Sequence, residues 1–174
     1  MSVQLGGRRS AVVILAALSF MAVILSISTV QAFSADSKVG DIYMVSTVKG
    51  KAWAKVDGEI VEVPVTVELV CKVTETLPDV VLFRPVMGTI VLNNVAYHVN
   101  QAWWRGIYFK YSERALIEGS ASNDEGNTMY FIIHAKDKVH TQGGTLMKAI
   151  GGIRDLEGIR WKTELILWRY KFGY

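Results

Sequence analysis

From Glu59 to Val73 the chain alternates: Val61, Val63, Val65, Val67, Leu69, Cys71 and Val73 fall on one parity, and Glu62, Pro64, Thr66, Glu68 and Lys72 on the other. A period of two marks a β-strand with one apolar face, because successive side chains of an extended chain point to opposite sides. The same rhythm continues from about Asp41 to the C-terminus. It is cut by turn-forming groups at Asp57-Gly58, Thr74 to Pro78, Asn93-Asn94, Ser112-Glu113, Asn123 to Gly126, Asp137 to Gly144 and Asp155 to Gly158. These seven turns predict eight strands, near 41–56, 59–73, 79–92, 95–111, 114–122, 127–136, 145–154 and 159–172. Most connections are too short for a parallel crossover, so neighbours are expected to pair as antiparallel hairpins.

Several strands contain an interior glycine: Gly50, Gly88, Gly106, Gly119 and the Gly151-Gly152 pair. Glycine weakens a flat strand but suits a sharp bend or a bulge, the devices by which a sheet closes on itself. The expected fold is therefore all-β: an eight-stranded antiparallel up-and-down β-barrel. In outline, Asp41 to Phe172 resembles the calycin class of small ligand-binding barrels. The Gly-x-Trp start of that class is not met, since Lys51 and Ala52 separate Gly50 from Trp53, and no binding residue is carried over from it.

The first 32 residues follow another pattern. Arg8-Arg9 precede an uncharged apolar run, Ala11 to Leu25, and a small-polar stretch, Ser26 to Ala32; these are the three parts of a secretory signal. Cleavage is expected after Ala32, with Val30 and Ala32 at the small-residue positions. If the segment is retained, the uncharged stretch 11–33 forms a hydrophobic helix long enough to contact and cross a bilayer. The arginines stay on the cytoplasmic side in both cases, so the rest of the chain is expected outside the cytoplasm, secreted or tethered. The domain plan is 1–32 signal peptide or signal anchor, 33–40 short linker, and 41–174 barrel domain.

Charge narrows the partner classes. The sequence pI is near 9.0, yet two of the 19 Lys and Arg residues precede residue 33, leaving 17 against 16 acidic residues beyond it. With no Lys/Arg run, nucleic acid is not expected as a partner. Cys71 is the single cysteine; no intrachain disulfide can form, and its place among valines and Leu69 predicts a buried, inert thiol.

No catalytic or phosphate-binding motif occurs, and His98, His134 and His140 have no metal-ligand spacing. No enzyme activity, metal or cofactor is expected. Alternation places Tyr97, Trp103, Phe131 and Trp161 among the inward aromatics, where they are expected to line a site for a small apolar ligand if the interior is open. His140 is added because Asp137 to Gly144 reads as a long loop at the more basic rim, beside Lys136 and Lys138. The alternative to a ligand is a protein partner. Two other readings stand beside a binding module. The aromatic alternation Trp168, Tyr170, Phe172, Tyr174 resembles the last strand of outer-membrane barrels, and exposed aromatics at Trp168, Tyr170 and Phe172 suit a structural subunit of a surface filament or envelope layer, covered by its neighbour.

Overall fold

The computed structural model describes residues 37–172, with only the backbone of residues 100–103. The expected N-terminal helix lies outside the described residues. Eight strands follow one another: β1 (Ile42–Val56), β2 (Glu59–Thr76), β3 (Val80–Leu92), β4 (Val95–Phe109), β5 (Arg114–Ser122), β6 (Thr128–Thr141), β7 (Gly144–Arg154) and β8 (Arg160–Lys171). Each pairs antiparallel with the next, and β8 pairs with β1, so the sheet is an antiparallel ring with no helix among the described residues.

Turn chemistry sets the register where the sequence pattern places it. Asp57 and Gly58 have φ of 50° and 91°, and Asn93 and Asn94 have 49° and 65°. Two consecutive left-handed residues make the two-residue hairpin turn whose twist matches that of paired strands, and Asp, Asn and Gly are the residues that tolerate it. In the longer turns, the Asn123 carboxamide accepts hydrogen bonds from the amides of Glu125 and Asn127, and the Asp155 carboxylate accepts one from Ile159.

One expected loop is absent. Strand β6 continues through Asp137 to Thr141, and β7 starts at Gly144, so Asp137 to Gly144 is mostly ladder. Asp137 reads as a turn residue in isolation, yet its side chain points inward to partners on β4 and β8. The longest connections, between Ser122 and Thr128 and between Arg154 and Arg160, lie at the opposite rim.

Among the described residues the inward face is mostly apolar and closely packed. Cross-strand partners build it in rows. In one row Tyr108 faces Ala115, then Ala135, Ala149 and Leu165, which in turn faces Gly50. Three consecutive alanines leave the volume that larger inward side chains occupy, and Tyr108, Leu165 and Arg169 are all nearly inaccessible to solvent. In another, Gly119 lies between Trp104 and Phe131, and those rings meet across the gap with centroids 4.4 Å apart. The glycines that bend the strands also let neighbours approach. A Cβ on Gly50 would lie 2.2 Å from the Val65 carbonyl oxygen, and β1 shifts register against both neighbours around this point.

The adjacent pair Gly151-Gly152 separates these roles. A Cβ on Gly151 would lie 2.2 Å from the Ile132 oxygen, whereas one on Gly152 would meet only the Trp161 oxygen, at 3.6 Å. Gly151→Ala is expected to cost about 1–3 kcal/mol through overpacking, and Gly152→Ala to change stability by no more than about 0.5 kcal/mol. Urea denaturation midpoints of the two variants check this, and equal shifts would remove the close approach as the reason for Gly151.

Candidate functional site

The residues expected to line a ligand site divide between the two ends of the ring. Phe131 and Trp161 are buried on the inward face, each opposite Ile153. The Trp161 indole donates a 2.8 Å hydrogen bond to Asp155. Tyr97 is half-buried against the same end, where burial and then the nearby Asp155, Glu125 and Glu157 charges push its hydroxyl pKa upward. The side chain of Trp103 lies outside the described residues. His140 sits at the other rim, exposed, with Nδ1 3.2 Å from the Thr145 hydroxyl and Nε2 3.3 Å from Glu113. Thus Tyr97, Phe131 and Trp161 share one end as core and rim residues, and His140 does not join them. His98 lies beside Thr89 and Asp124, and among the described residues no three potential metal ligands converge.

A buried ionic cluster occupies the interior at the His140 end. Asp137 and Arg169, with side chains 1% and 2% exposed, pair at 3.0 Å, and the Tyr108 hydroxyl donates to the same carboxylate oxygen at 2.8 Å. The Arg169 guanidinium lies 4.9 Å from the centre of the Tyr108 ring. Burial and the Asp137 charge raise the Tyr108 pKa, so its proton stays in place. Nearby, Tyr43 and Ser37 hydroxyls meet at 2.9 Å, and the N-terminal approach is held where Thr76 donates to the Ser37 carbonyl oxygen. This cluster is packed and internally hydrogen-bonded, and it fills the interior at the rim where the sequence pattern places the Asp137 to Gly144 loop.

Outward side chains tell a different story on β5, β6 and β7. Arg114 lies directly opposite Lys136, and Lys136 directly opposite Lys148. Lys148 is paired with Glu164 at 2.8 Å, which holds that carboxyl group below its usual pKa. Arg114, Lys136 and the neighbouring Lys138 have no acidic partner among the described residues. The next row along the strands is Ile107, Leu116, His134 and Ile150. Between the two rows runs a surface groove of about 750 Å³, floored by Phe109, Leu116 and Ile150 and rimmed by the cations. Ile150 is 58% exposed. Further along, where Gly152 leaves the face without a side chain, a second depression of about 510 Å³ lies beside Tyr130, Ile132, Arg154, Arg160 and Lys162.

The charge count of the chain does not reveal this face, because Arg114, Lys136 and Lys148 are far apart in sequence and only the cross-strand register assembles them. The available signal is parity: Lys136 and His134 on β6, and Lys148 and Ile150 on β7, share the outward parity of their strands. Comparison with protein-family models, curated proteins and solved structures yields no match, so the functional reading rests on the chemistry of the surfaces themselves.

Two expectations test the interior. Asp137→Ala leaves a buried guanidinium without its counter-ion and is expected to cost about 3–5 kcal/mol, with the Asp137→Leu/Arg169→Met double variant closer to the parent than either single charge removal. Tyr108→Phe is expected to cost about 1.5–3 kcal/mol, the range for a hydrogen bond to a charged group. Denaturant titrations measure all of these. Separately, burial pushes the Cys71 thiol up to about 12, against 9.0 for an unhindered thiol. Its contribution to stability is therefore present below pH 9 and is lost as pH rises from 9 towards 12, because the unfolded thiol ionises first. At pH 8 a thiol reagent should label Cys71 only as fast as the chain unfolds; rapid labelling of the folded protein would contradict its burial.

Proposed function

We propose that the chain is a non-catalytic extracytoplasmic binding module, an up-and-down β-barrel of calycin-like outline that works through the outer face of β5, β6 and β7. The observation that carries this reading is the Arg114, Lys136, Lys148 row beside an exposed apolar groove. Like charges directly opposite one another on neighbouring strands oppose folding, and exposed Ile150 and Phe109 gain nothing from water. A surface with both features is suited to a partner that neutralises the one and covers the other. The groove offers cations, one imidazole and apolar surface, a set for holding a ligand rather than breaking a bond. Export is supported by the charge and hydropathy order of residues 1–32.

A site inside the barrel has less to recommend it. Its inward positions are taken by side chains such as Phe131, Met129, Ile133, Leu165 and Trp161, in keeping with eight-stranded barrels whose lumen is just wide enough to be filled. A membrane-embedded barrel requires apolar residues outside and polar residues inside; the polarity here is the reverse, with Lys51, Glu62, Lys136, Lys148 and Lys162 outward. The aromatic C-terminal strand, which suits an assembly subunit, is largely used within the chain: Trp168 lies against the Gly143-Gly144 hairpin, and the Tyr170 hydroxyl bonds to the Met44 sulfur.

Titrating the isotopically labelled full chain with fatty acids, isoprenoids and porphyrins, followed by amide chemical shifts, tests the outer-face reading. The expected result is saturable perturbation of Leu116, His134, Lys136 and Ile150, with the Phe131 and Trp161 environment unchanged. Perturbation centred on Tyr97, Phe131 and Trp161 would return the site to the interior.

A further inference from the structure

We propose that the occupant of the β5–β7 groove is a small amphipathic anion, a single acidic head on an unbranched apolar body, with the head between Arg114 and Lys136 and the body along Leu116 and Ile150. The inference rests on the outer-face reading and names its ligand class. Charge complementarity selects the head. Neighbouring strands are about 4.8 Å apart, so the directly opposed Arg114 and Lys136 place two cationic groups within reach of one carboxylate or phosphate. Lys138 stands beside them on the groove rim, whereas Lys148 is already engaged by Glu164. An anion seated there gains charge-assisted hydrogen bonds and relieves a repulsion that the unliganded surface carries.

The groove shape selects the body. Its floor is apolar, its volume of about 750 Å³ falls in the range of about 300–1,000 Å³ usual for small-molecule sites, and Ile150 and Leu116 continue it away from the cations, on either side of His134. A compact inorganic anion would leave this floor in water, and a neutral hydrocarbon would leave the cations unpaired. One molecule with both parts satisfies the whole surface. Carboxylate and phosphate heads share the chemistry, and direct comparison separates them.

The two demands on Lys136 conflict, which gives the proposal a signature that a merely structural lysine lacks. Calorimetric titration of the full chain with dodecanoate, dodecyl phosphate, dodecyl maltoside and dodecyltrimethylammonium, each below its micelle concentration, reads the preference. At least one anion is expected to bind saturably and at least tenfold more tightly than the neutral and cationic chains, with affinity falling as salt is raised. Lys136→Glu is expected to weaken the anion tenfold or more while raising the denaturation midpoint, because it replaces a like-charge contact by an attractive one. Ile150→Asn weakens every chain that binds, and Lys55→Glu, exposed on β1, changes nothing. Equal affinity for all heads, or binding indifferent to Lys136→Glu, overturns the proposal, as does failure of every amphiphile to bind. Head-independent binding that still maps to Leu116 and Ile150 leaves the outer-face reading standing, whereas binding that maps to Phe131 and Trp161 removes both.

Discussion

Closing eight strands on themselves fixes the interior space, and the rest of this molecule follows from how inward side chains share it. Across the Tyr108, Ala115, Ala135, Ala149, Leu165 row, bulk at the ends is balanced by three small residues between. The interior also holds Arg169, whose charge would be prohibitive without Asp137 beside it and Tyr108 donating to the same carboxylate. The cluster joins β4, β6 and β8, so it also pins the relative register of three strands that share no single ladder. A one-residue slip in β6 or β8 would turn one charged group outward and leave its partner buried alone, and a slip in β4 would take the Tyr108 hydroxyl away from the pair.

Packed side chains take up the inward positions. In a wider closed sheet the inward face can line a cavity, but here Trp104 over Gly119 and Phe131 beside Ile153 take the available room. The outer surface is then the place where residue choice is released from packing. On β1, β2 and β8 that freedom is used conventionally, with Lys51 paired to Glu62 and Lys171 to Asp41. On β5 and β6 it is not, and Arg114 and Lys136 face one another with no acid interposed.

Much of the fold was legible because its determinants are local. Alternation in β2, the left-handed residues at Asp57-Gly58 and Asn93-Asn94, and the bend glycines each act within a few residues of themselves. Asp137 defeats that logic. Its local signal is a turn, but its environment is set by Arg169, 32 positions away, and the long loop expected between Asp137 and Gly144 becomes ladder. The placement of the aromatics was legible only in part for the same reason: alternation puts Phe131 and Trp161 inward, where they are buried, yet which end of the ring each occupies depends on strand offsets, and His140 falls at the opposite end.

The outer face was illegible for a complementary reason, since a near-balanced total charge describes no surface in particular. Several acidic residues stand in turns at one rim, where the Asp155 carboxylate is occupied by the Trp161 indole and the Ile159 amide and Asn123 closes its own loop. On β5 to β7, Arg114, Lys136 and Lys148 stand on three different strands and are brought together only by pairing. Placing like charges opposite one another in this way opposes folding without changing the net charge. Chain neutrality and strand alternation would be satisfied equally well by a Lys-to-Glu exchange at position 136, so neither constraint accounts for a lysine that faces Arg114 on one side and Lys148 on the other.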